Sequence, residues 1–333
     1  MIPVTVLTGF LGSGKTTLLA HLLRDPALAR TAVIINEFGA VGIDHELVAA
    51  SEESLVELET GCLCCTIRGD LEATIADLVG RRAAGTISRF ERIVIETSGL
   101  ADPAPVLNAI MSETARGSGV QLAHVVTTID SVLGAGTLLR EAQSRRQVAV
   151  ADQLVLTKCD LGGGDGDALR EAVRELNPRA PMIEARHGVV AASEIFRAAG
   201  GVALELSSEI AALVADEQRR TGQLLHDEEI RSHIVRRERP IPGVVLTLFL
   251  QALADHIGEG LLRFKGFVHV AEHGEGPAII HGVQHVFHEP QWLDRWPSED
   301  RSTRLDLIGR GISSLWVEQL LDAIQAEVVE VGP

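Results

Sequence analysis

The sequence predicts an α/β fold in which a mainly parallel sheet is flanked by helices, followed by a smaller α+β domain. The chain has 333 residues, of which 46% are hydrophobic, enough for two domains that each bury a full core. Short β-rich apolar runs alternate with segments of 3.6-residue periodicity through residues 1–205. The apolar runs are almost uninterrupted, which is typical of parallel strands that helices cover on both faces.

Seven runs of the first domain are predicted as strands, and three segments between them as amphipathic helices. The strands are VTVLTG (4–9), TAVIIN (31–36), SLVELE (54–59), RIVIET (92–97), HVVTTID (124–130), QLVLTK (153–158) and PMIEAR (181–186). The helices are TTLLAHLLRD (16–25), DLEATIADLVGRRA (70–83) and DALREAVRELN (167–177).

The chain changes character after residue 205. Residues 206–240 are polar and charged, and they are predicted as a linker with some helix. Residues 241–333 are predicted as the smaller domain, which starts with a strand, GVVLTLFL (243–250), and a helix, DHIGEGLLRF (255–264). Three candidates for antiparallel strands and a closing helix follow: KGFVHVAEH (265–273), PAIIHGVQHVFH (277–288), STRLDLIGR (302–310) and SSLWVEQLLDAIQAEV (313–328).

Charge and hydropathy narrow the classes of partner. The net charge is −16 and the pI is near 5.2, which disfavours binding to nucleic acid or to anionic lipid headgroups. The N-terminal segment has no basic region and no long apolar region of the kind that signal peptides carry. The best apolar run, VVLTLFLQAL (244–253), is too short to span a bilayer. The sequence therefore predicts a cytoplasmic protein that binds neither nucleic acid nor membrane.

Residues 9–16, GFLGSGKT, fit the pattern G-x-x-x-x-G-K-[ST] of a phosphate-binding loop. Gly12 and Gly14 let the backbone curl so that its N–H groups point at a phosphate, and the following helix adds its N-terminal dipole. Lys15 supplies positive charge to the β- and γ-phosphates, and Thr16 offers a hydroxyl to Mg²⁺. Residues predicted to contact the nucleotide here are Gly9, Gly12, Ser13, Gly14, Lys15, Thr16 and Thr17.

Two later stretches favour a GTPase. RIVIETSGLADP (92–103) is an apolar strand that ends in Glu96, an acid suited to the Mg²⁺ shell, and Gly99 is predicted to sense the γ-phosphate. Lys15, Thr16 and Glu96 are therefore the predicted catalytic residues.

The second stretch, QLVLTKCD (153–160), ends in T-K-x-D. Asp160 is predicted to accept two hydrogen bonds from guanine, while the stem of Lys158 packs along the ring. Thr157 stands where such strands usually carry asparagine, a change expected to weaken contacts to the base and to the phosphate loop. The alternative for Asp160 is a helix N-cap or turn residue.

Residues 59–68, ETGCLCCTIR, hold three of the chain's four cysteines: Cys62, Cys64 and Cys65. In a cytosolic protein such clusters bind metal or act in catalysis more often than they form disulfides. Sulfur donors select Zn²⁺, Cu(I) or iron–sulfur clusters, and a cluster usually needs four cysteines with other spacings. Zn²⁺ is therefore the leading candidate, and Co²⁺ would be coordinated similarly. Gly61 and the change from strand to helix favour a turn here, which would bring Cys65 toward the other two. Three local ligands are fewer than the four of a closed zinc site, so transferable metal, structural metal and a redox pair all stay open.

Taken in order, these motifs resemble the CobW family of P-loop GTPases, which includes zinc metallochaperones. The resemblance covers most of the chain and is carried by TGFLGSGKTTLL (8–19), NEFGAVGID (36–44), ELETGCLCCTIRGDL (57–71), VIETSGLADPAPV (94–106), LTKCDL (156–161), LLRFKGFVHV (261–270), GVQHVFHEP (282–290) and RLDLIGRGI (304–312).

The resemblance implies a protein that hydrolyses GTP to GDP and phosphate, binds metal and delivers it to a client metalloprotein. It assigns the family's C-x-C-C motif to Cys62, Cys64 and Cys65, and its switch acid to Glu37, the first candidate for a fourth zinc ligand. Related P-loop GTPases often form homodimers. Many members carry a histidine-rich tract between the domains, whereas residues 200–240 contain only His226 and His233.

Two other functions remain open on the residues alone: a P-loop phosphotransferase with structural zinc, and a non-catalytic zinc-binding adaptor. The cysteine motif lies between the phosphate loop and the strand that ends in Glu96, where GTPases place their switches. Nucleotide and metal are therefore expected to influence each other's binding. Five histidines within residues 269–288 are interpreted as a polar sheet face, with an auxiliary metal or docking surface as the alternative.

Overall fold

The computed structural model describes residues 1–36, 55–57, 63–67, 71–162, 164, 166–196 and 230–330, with 55–57 and 63–67 described by their backbone. These residues form two compact units, one within 1–199 and the other mostly within 200–333. Glu37, Cys62 and residues 206–229 of the predicted linker lie outside the described residues. None of the described helices is long and apolar enough to cross a membrane.

The first unit is built on an eight-stranded sheet. Its strands are β1 Ile2–Gly9, β2 Thr31–Asn36, β3 Leu55–Glu57, β4 Leu63–Ile67, β5 Arg92–Thr97, β6 Val120–Asp130, β7 Gln153–Thr157 and β8 Met182–Glu184. They follow the order β3-β4-β2-β5-β1-β6-β7-β8, and all neighbours are parallel except β3 and β4. The parallel sheet predicted from the sequence is confirmed.

Helices pack against this sheet. They are α1 Lys15–Leu22, α2 Leu71–Ala84, α3 Pro103–Met111, α4 Glu113–Gly117, α5 Gly134–Arg140, α6 Ala142–Val150, α7 Gly166–Leu176 and α8 Ala192–Ile195. Leu18 and Leu22 of α1 are buried in one core cluster with Val33, Val94 and Val126 of three strands. This packing anchors the helix that follows the phosphate loop, and therefore fixes where the loop ends.

The turn predicted around Cys65 is wrong for the backbone, because residues 63–67 form the extended strand β4. Cys64 is in register with Val33 of β2 on one side and with Val56 of β3 on the other. Pairing on both edges supplies the backbone hydrogen bonds that a turn would leave open, which is a tertiary effect that local sequence does not show. Since α2 begins only at Leu71, the two cysteines of this strand lie in the sheet rather than at a helix N-terminus.

The second unit is an antiparallel sheet covered by two helices. Its elements are β9 Ile230–Arg237, α9 Gly243–His256, β10 Leu261–Val268, β11 Ala278–Val283, β12 Val286–Phe287, β13 Gln291–Trp292, β14 Thr303–Arg310 and α10 Ser314–Glu330. The strand order is β12-β11-β10-β14-β9, with β13 paired to β11. Phe249 of α9, Phe264 of β10 and Leu321 of α10 are all fully buried in its core.

Two elements at the start of this unit differ from the prediction. The run predicted as a strand at 243–250 is the first part of α9, and the helix predicted at 255–264 contains the end of α9 and the start of β10. Val245, Leu246, Phe249 and Leu253 are buried while Val244 and Leu248 are exposed. The adjacent buried pair 245–246 breaks the alternation of a strand and fits the period of a helix. The valines and the uninterrupted apolar run conceal that period.

Strand β9 lies in the segment predicted as a linker. All eight of its residues are in register with β14, and Val235 is fully buried. The charged residues of this segment are typical of a linker, but polar side chains are also common where one face of a strand is not in the core.

Candidate nucleotide site

The loop between β1 and α1 curls as a phosphate-binding loop does. Gly9, Gly12 and Gly14 have φ of 139°, 72° and 88°, in the region that favours glycine. At Gly9 a Cβ atom would lie 2.3 Å from Oγ1 of Thr128, so β6 passes too close for any side chain. The three glycines at the predicted positions therefore allow the backbone conformation that the motif requires.

Lys15 is buried and its ammonium lies inside this loop. Its Nζ donates to the carbonyl oxygens of Gly9, at 2.8 Å, and Phe10, at 3.2 Å. Burial lowers the pKa of Lys15, and the negative charge of Glu96 acts in the opposite direction. A charged group that is held by weak carbonyl acceptors in a buried loop would gain from a phosphate.

Thr16 and Glu96 meet at the edge of the loop. The hydroxyl of Thr16 donates to Oε1 of Glu96 at 2.6 Å, and Glu96 is buried near the end of β5. The register of β1 with β5 sets Leu7 beside Glu96 and so brings the two motifs together. A hydroxyl and a carboxylate are hard oxygen donors, so these residues fit Mg²⁺.

Thr157 joins β7, the strand that ends in T-K-x-D, to the phosphate loop. Its hydroxyl donates to the carbonyl oxygen of Ser13 at 2.7 Å and also approaches that of Ile129 at 3.2 Å. Ser13 in turn pairs its hydroxyl with that of Thr128 at 2.6 Å. Threonine in place of asparagine therefore still contacts the phosphate loop.

Lys158 follows in the left-handed conformation, with φ of 59°. Its Nζ donates to Oδ2 of Asp130 at 2.6 Å, and Oδ1 of Asp130 accepts from the N–H groups of Val132 and Leu133. Burial alone would raise the pKa of Asp130, but the hydrogen bonds from Lys158, Leu133 and Val132 outweigh burial and hold that pKa below its usual value. Sequence reasoning missed Asp130, although an acid closing the strand HVVTTID was a usable signal.

Asp160 is bound by a loop that sequence reasoning also missed. The backbone N–H of His187 donates to Oδ1 of Asp160 at 2.7 Å, and Nδ1 of the His187 ring lies 3.1 Å from Oδ2. The N–H of His187 is the main cause that lowers the pKa of Asp160. A Cβ on Gly188 would lie 2.9 Å from Cγ2 of Thr17, so the same loop also reaches α1. The Asp160 carboxylate is thus oriented at the rim of the site.

The loop after Glu96 lies directly on the phosphate loop. A Cβ on Gly99 would be 2.7 Å from the backbone N and Cα of Leu11, so glycine is required for this approach. The side-chain amide of Gln147, on α6, donates to the carbonyl oxygens of Gly99 and Ala101. Gln147 was not singled out from the sequence, because a glutamine within a helix carries no motif.

The predicted nucleotide residues therefore gather at one edge of the sheet. They lie at or just after the ends of β1, β5 and β7. These strands are parallel; β5 is next to β1, and β6 lies between β1 and β7. The carboxyl ends of parallel strands form the usual ligand crevice of an open α/β sheet. Lys15 donates to carbonyl groups of the phosphate loop, and Thr16 donates to Glu96. Thr157, which donates to Ser13, connects the strand end that carries Lys158 and Asp160 to the same loop.

The predicted metal residues are described only in part. Glu37 and Cys62 lie outside the described residues, and Cys64 and Cys65 are described by their backbone in β4. Among the side chains that the structure describes, no three His, Cys, Asp or Glu residues are grouped to hold a metal ion. In the second unit His269 packs edge-on against Trp296, with ring centroids 5.4 Å apart, so aromatic packing is one use of its histidines.

Known proteins match the chain over both units. Residues 3–184 match the family described as CobW/HypB/UreG, nucleotide-binding domain, and residues 230–325 match the cobalamin synthesis protein cobW C-terminal domain. The zinc chaperone YjiA of Escherichia coli (strain K12) is 31% identical over 315 residues, covering 92% of this chain and 94% of that protein. The zinc chaperone CobW of Sinorhizobium sp is 32% identical over 344 residues, covering 92% of each.

The fold agrees with a solved structure of the same group. The crystal structure of Zn(II)-bound YjiA GTPase from E. coli has a TM-score of 0.72 to this chain at 28% identity, covering 97% of this chain and 98% of that one. The phosphate loop, the acid at the end of β5 and the T-K-x-D strand end occupy one crevice, and each unit matches one domain of the family. This chain belongs to the CobW family.

Proposed function

We propose that this protein is a GTPase metallochaperone that binds Zn²⁺ at Cys62, Cys64 and Cys65 and passes it to a client metalloprotein. The observation that carries the nucleotide half is the crevice itself. A buried lysine lies inside a glycine loop, and a hydroxyl–carboxylate pair of 2.6 Å stands at its edge. Few other ligands than a nucleoside triphosphate with its metal need that combination.

Guanine is the base that the rim favours. Asp160 presents a carboxylate whose orientation is set by the backbone N–H of His187, and this hydrogen bond lowers the pKa of Asp160 by stabilising the ionised form. An ionised carboxylate accepts hydrogen bonds and donates none, which suits the two adjacent donors of guanine and not the edge of adenine. This argues against the usual ATP-dependent phosphotransferases.

Hydrolysis in such a site depends on positioning and charge. The Lys15 ammonium would leave the carbonyls of Gly9 and Phe10 for the β- and γ-phosphates, and the backbone N–H groups of the loop would surround them. Gly99, which lies against Leu11 of the phosphate loop, would offer its N–H to the terminal phosphate. When bound, Mg²⁺ neutralises charge on the phosphate oxygens, and Thr16 and Glu96 are the residues that would hold it.

The metal half of the proposal is supported by the cysteine motif and by the names of the relatives. Two relatives with 31% and 32% identity are named zinc chaperones. Three thiolates suit Zn²⁺, with Co²⁺ as a chemically similar alternative and Glu37 as the candidate fourth ligand. An incomplete local ligand set is suited to a cargo that must leave for the client.

Two variants separate the halves of the proposal. Lys15→Ala should abolish GTP hydrolysis and leave Zn²⁺ affinity without nucleotide unchanged, because its charge lies in the phosphate loop. Cys64→Ala should weaken Zn²⁺ binding by at least about tenfold, as loss of a ligand does, and leave GDP binding intact. Phosphate release and competition with a zinc chelator measure the two quantities, and ADP in place of GDP tests the base. A wild-type protein that binds ADP as tightly as GDP, or zinc binding indifferent to Cys64→Ala, would contradict the proposal.

A further inference from the structure

Gln147 is a polar side chain in the middle of α6 that is completely buried. Its backbone carbonyl accepts a hydrogen bond of 2.7 Å from the hydroxyl of Thr127 on β6, so this turn of the helix is tied to the sheet. A buried amide costs free energy unless it is hydrogen-bonded, and none of the nucleotide motifs includes it. The amide oxygen of Gln147 makes no hydrogen bond to a described residue, so the hydrogen bonds of the amide nitrogen are what this buried group contributes.

The Gln147 amide nitrogen binds the loop that follows Glu96. It donates to the carbonyl oxygen of Gly99 at 3.1 Å and to that of Ala101 at 3.2 Å, which uses both of its hydrogens. The preceding residue, Arg146, binds Asp102 at 2.6 Å, and Asp102 caps the N-terminus of α3. Two consecutive residues of α6 thus hold this loop and the helix after it.

The same loop is in contact with the phosphate loop, since a Cβ on Gly99 would meet the Leu11 backbone at 2.7 Å. A shift of the loop that separated the carbonyls of Gly99 and Ala101 from Gln147 would break both hydrogen bonds. The buried amide would then lose both acceptors in a place that water does not reach. Gln147 therefore favours the position in which Gly99 lies beside Leu11 of the phosphate loop.

We propose that Gln147 is a positioning residue that holds Gly99 where its N–H can bind the γ-phosphate, and so sets how much more tightly the site binds GTP than GDP. This inference rests on the proposed function, because it requires GTP in the crevice. GDP has no γ-phosphate, so its affinity should not depend on where Gly99 lies. The ratio of the two affinities is the quantity that Gln147 controls.

The test is Gln147→Leu, which keeps much of the volume and removes both donors. We expect a non-hydrolysable GTP analogue to bind about three- to tenfold more weakly, as the loss of hydrogen bonds predicts, and GDP to bind within about twofold of wild type. Gln143→Leu is the matched control. It removes an amide one turn earlier on α6, and the amide nitrogen of Gln143 makes no hydrogen bond to any described residue. Calorimetry gives both affinities, and thermal unfolding checks the fold.

The outcomes separate this role from a structural one. Equal weakening of GDP and of the GTP analogue, or an unchanged ratio, would overturn the role of Gln147 while leaving the proposed function standing. If the leucine variant does not fold, Gln147→Met keeps an unbranched side chain and is measured in the same way. A wild-type protein that binds GDP but not the GTP analogue would overturn the proposed function, and this inference with it.

Discussion

One hydroxyl group connects the two halves of the nucleotide crevice. Thr157 ends β7, the strand that leads to Lys158 and Asp160, and it donates to the carbonyl of Ser13 within the phosphate loop. It is buried, and so is Ser13, so neither group can exchange the bond for water. The single hydroxyl of Thr157 thus links the end of β7 to the phosphate loop.

Thr157→Val should lower the free energy of unfolding by about 1–2 kcal/mol, because it leaves the buried carbonyl of Ser13 without this donor. It should also weaken GDP binding, since the phosphate loop loses a support. Thr157→Ser retains the hydroxyl and should keep most of both. Urea denaturation and GDP titration measure the effects, and a valine variant as stable as the serine variant would show that the bond contributes little.

A second residue-scale prediction concerns pH. The pKa of Asp130 is held below its ordinary value of 3.8, so its pair with Lys158 stabilises the fold above that pH and the contribution is lost as pH falls through the lowered pKa. Asp130→Asn should reduce the free energy of unfolding by about 1 kcal/mol at neutral pH, since Lys158 is 35% exposed and water screens the pair. The difference from wild type should shrink as the pH falls below about 3.8. A difference that is the same across that range would contradict the assignment.

Base recognition can be tested on Asp160 itself. The asparagine side chain would place its own N–H donor opposite the exocyclic amine of guanine, which is also a donor. Xanthine has an oxygen in place of that amine, and this oxygen can accept from the asparagine. Asp160→Asn should therefore lower GDP affinity by at least about tenfold and raise affinity for xanthosine diphosphate, measured by competition with a fluorescent nucleotide. His187→Ala is the control, because it keeps the backbone N–H that orients Asp160 and should leave the order of preference unchanged. Parallel losses for both nucleotides in Asp160→Asn would indicate a structural residue instead.

At the scale of elements, the sequence predicts best where local chemistry and local structure coincide. Glycines 9, 12 and 14 and Lys15 specify the phosphate loop within eight residues, and the strands around it are uniformly apolar. Strand β4 was not predicted because its pairing partners, β2 and β3, are set by the fold. The contacts of Asp130, Gln147 and His187 join residues that are 27 or more positions apart, which no local pattern reports.

Helix α9 shows how composition can hide a period, and it allows a direct check. Phe249 is fully buried in the core of the second unit, whereas Leu248 is 46% exposed. Phe249→Ala should cost about 3–5 kcal/mol of stability, the range for large aromatic side chains removed from a core. Leu248→Ala should change it by about 0.5 kcal/mol or less. A strand would also place Leu248 and Phe249 on opposite faces, but it would put Leu246 on the same face as Leu248, whereas in the helix Leu246 is buried in the core. Leu246→Ala should therefore also destabilise. Chemical denaturation measures the free energy of unfolding of all three variants.

At the scale of the whole molecule, the sheet connects the cysteine strand β4 to the candidate nucleotide site. Strand β2 lies between β4 and β5, with Val33 in register with Cys64 on one side and with Val94 on the other. Two residues beyond Val94, the same strand β5 reaches Glu96, which binds Thr16 of the phosphate loop. A change in the position of Glu96 can therefore reach the backbone of the cysteine strand through a single intervening strand.

This arrangement predicts reciprocal coupling between GTP and Zn²⁺. If a GTP analogue changes Zn²⁺ affinity by a given factor relative to GDP, Zn²⁺ must change the preference for that analogue over GDP by the same factor. We expect a factor of about 5 or more, the lower end of typical coupling, measured at all four corners of the cycle by calorimetry and chelator competition. In Cys64→Ala, which removes a proposed metal ligand, Zn²⁺ should no longer change the preference for the GTP analogue over GDP. The affinity for GDP itself should stay unchanged, because the variant does not alter the nucleotide site. A factor of one in the wild-type protein would mean that GTP and Zn²⁺ bind independently, and would contradict coupling through the sheet.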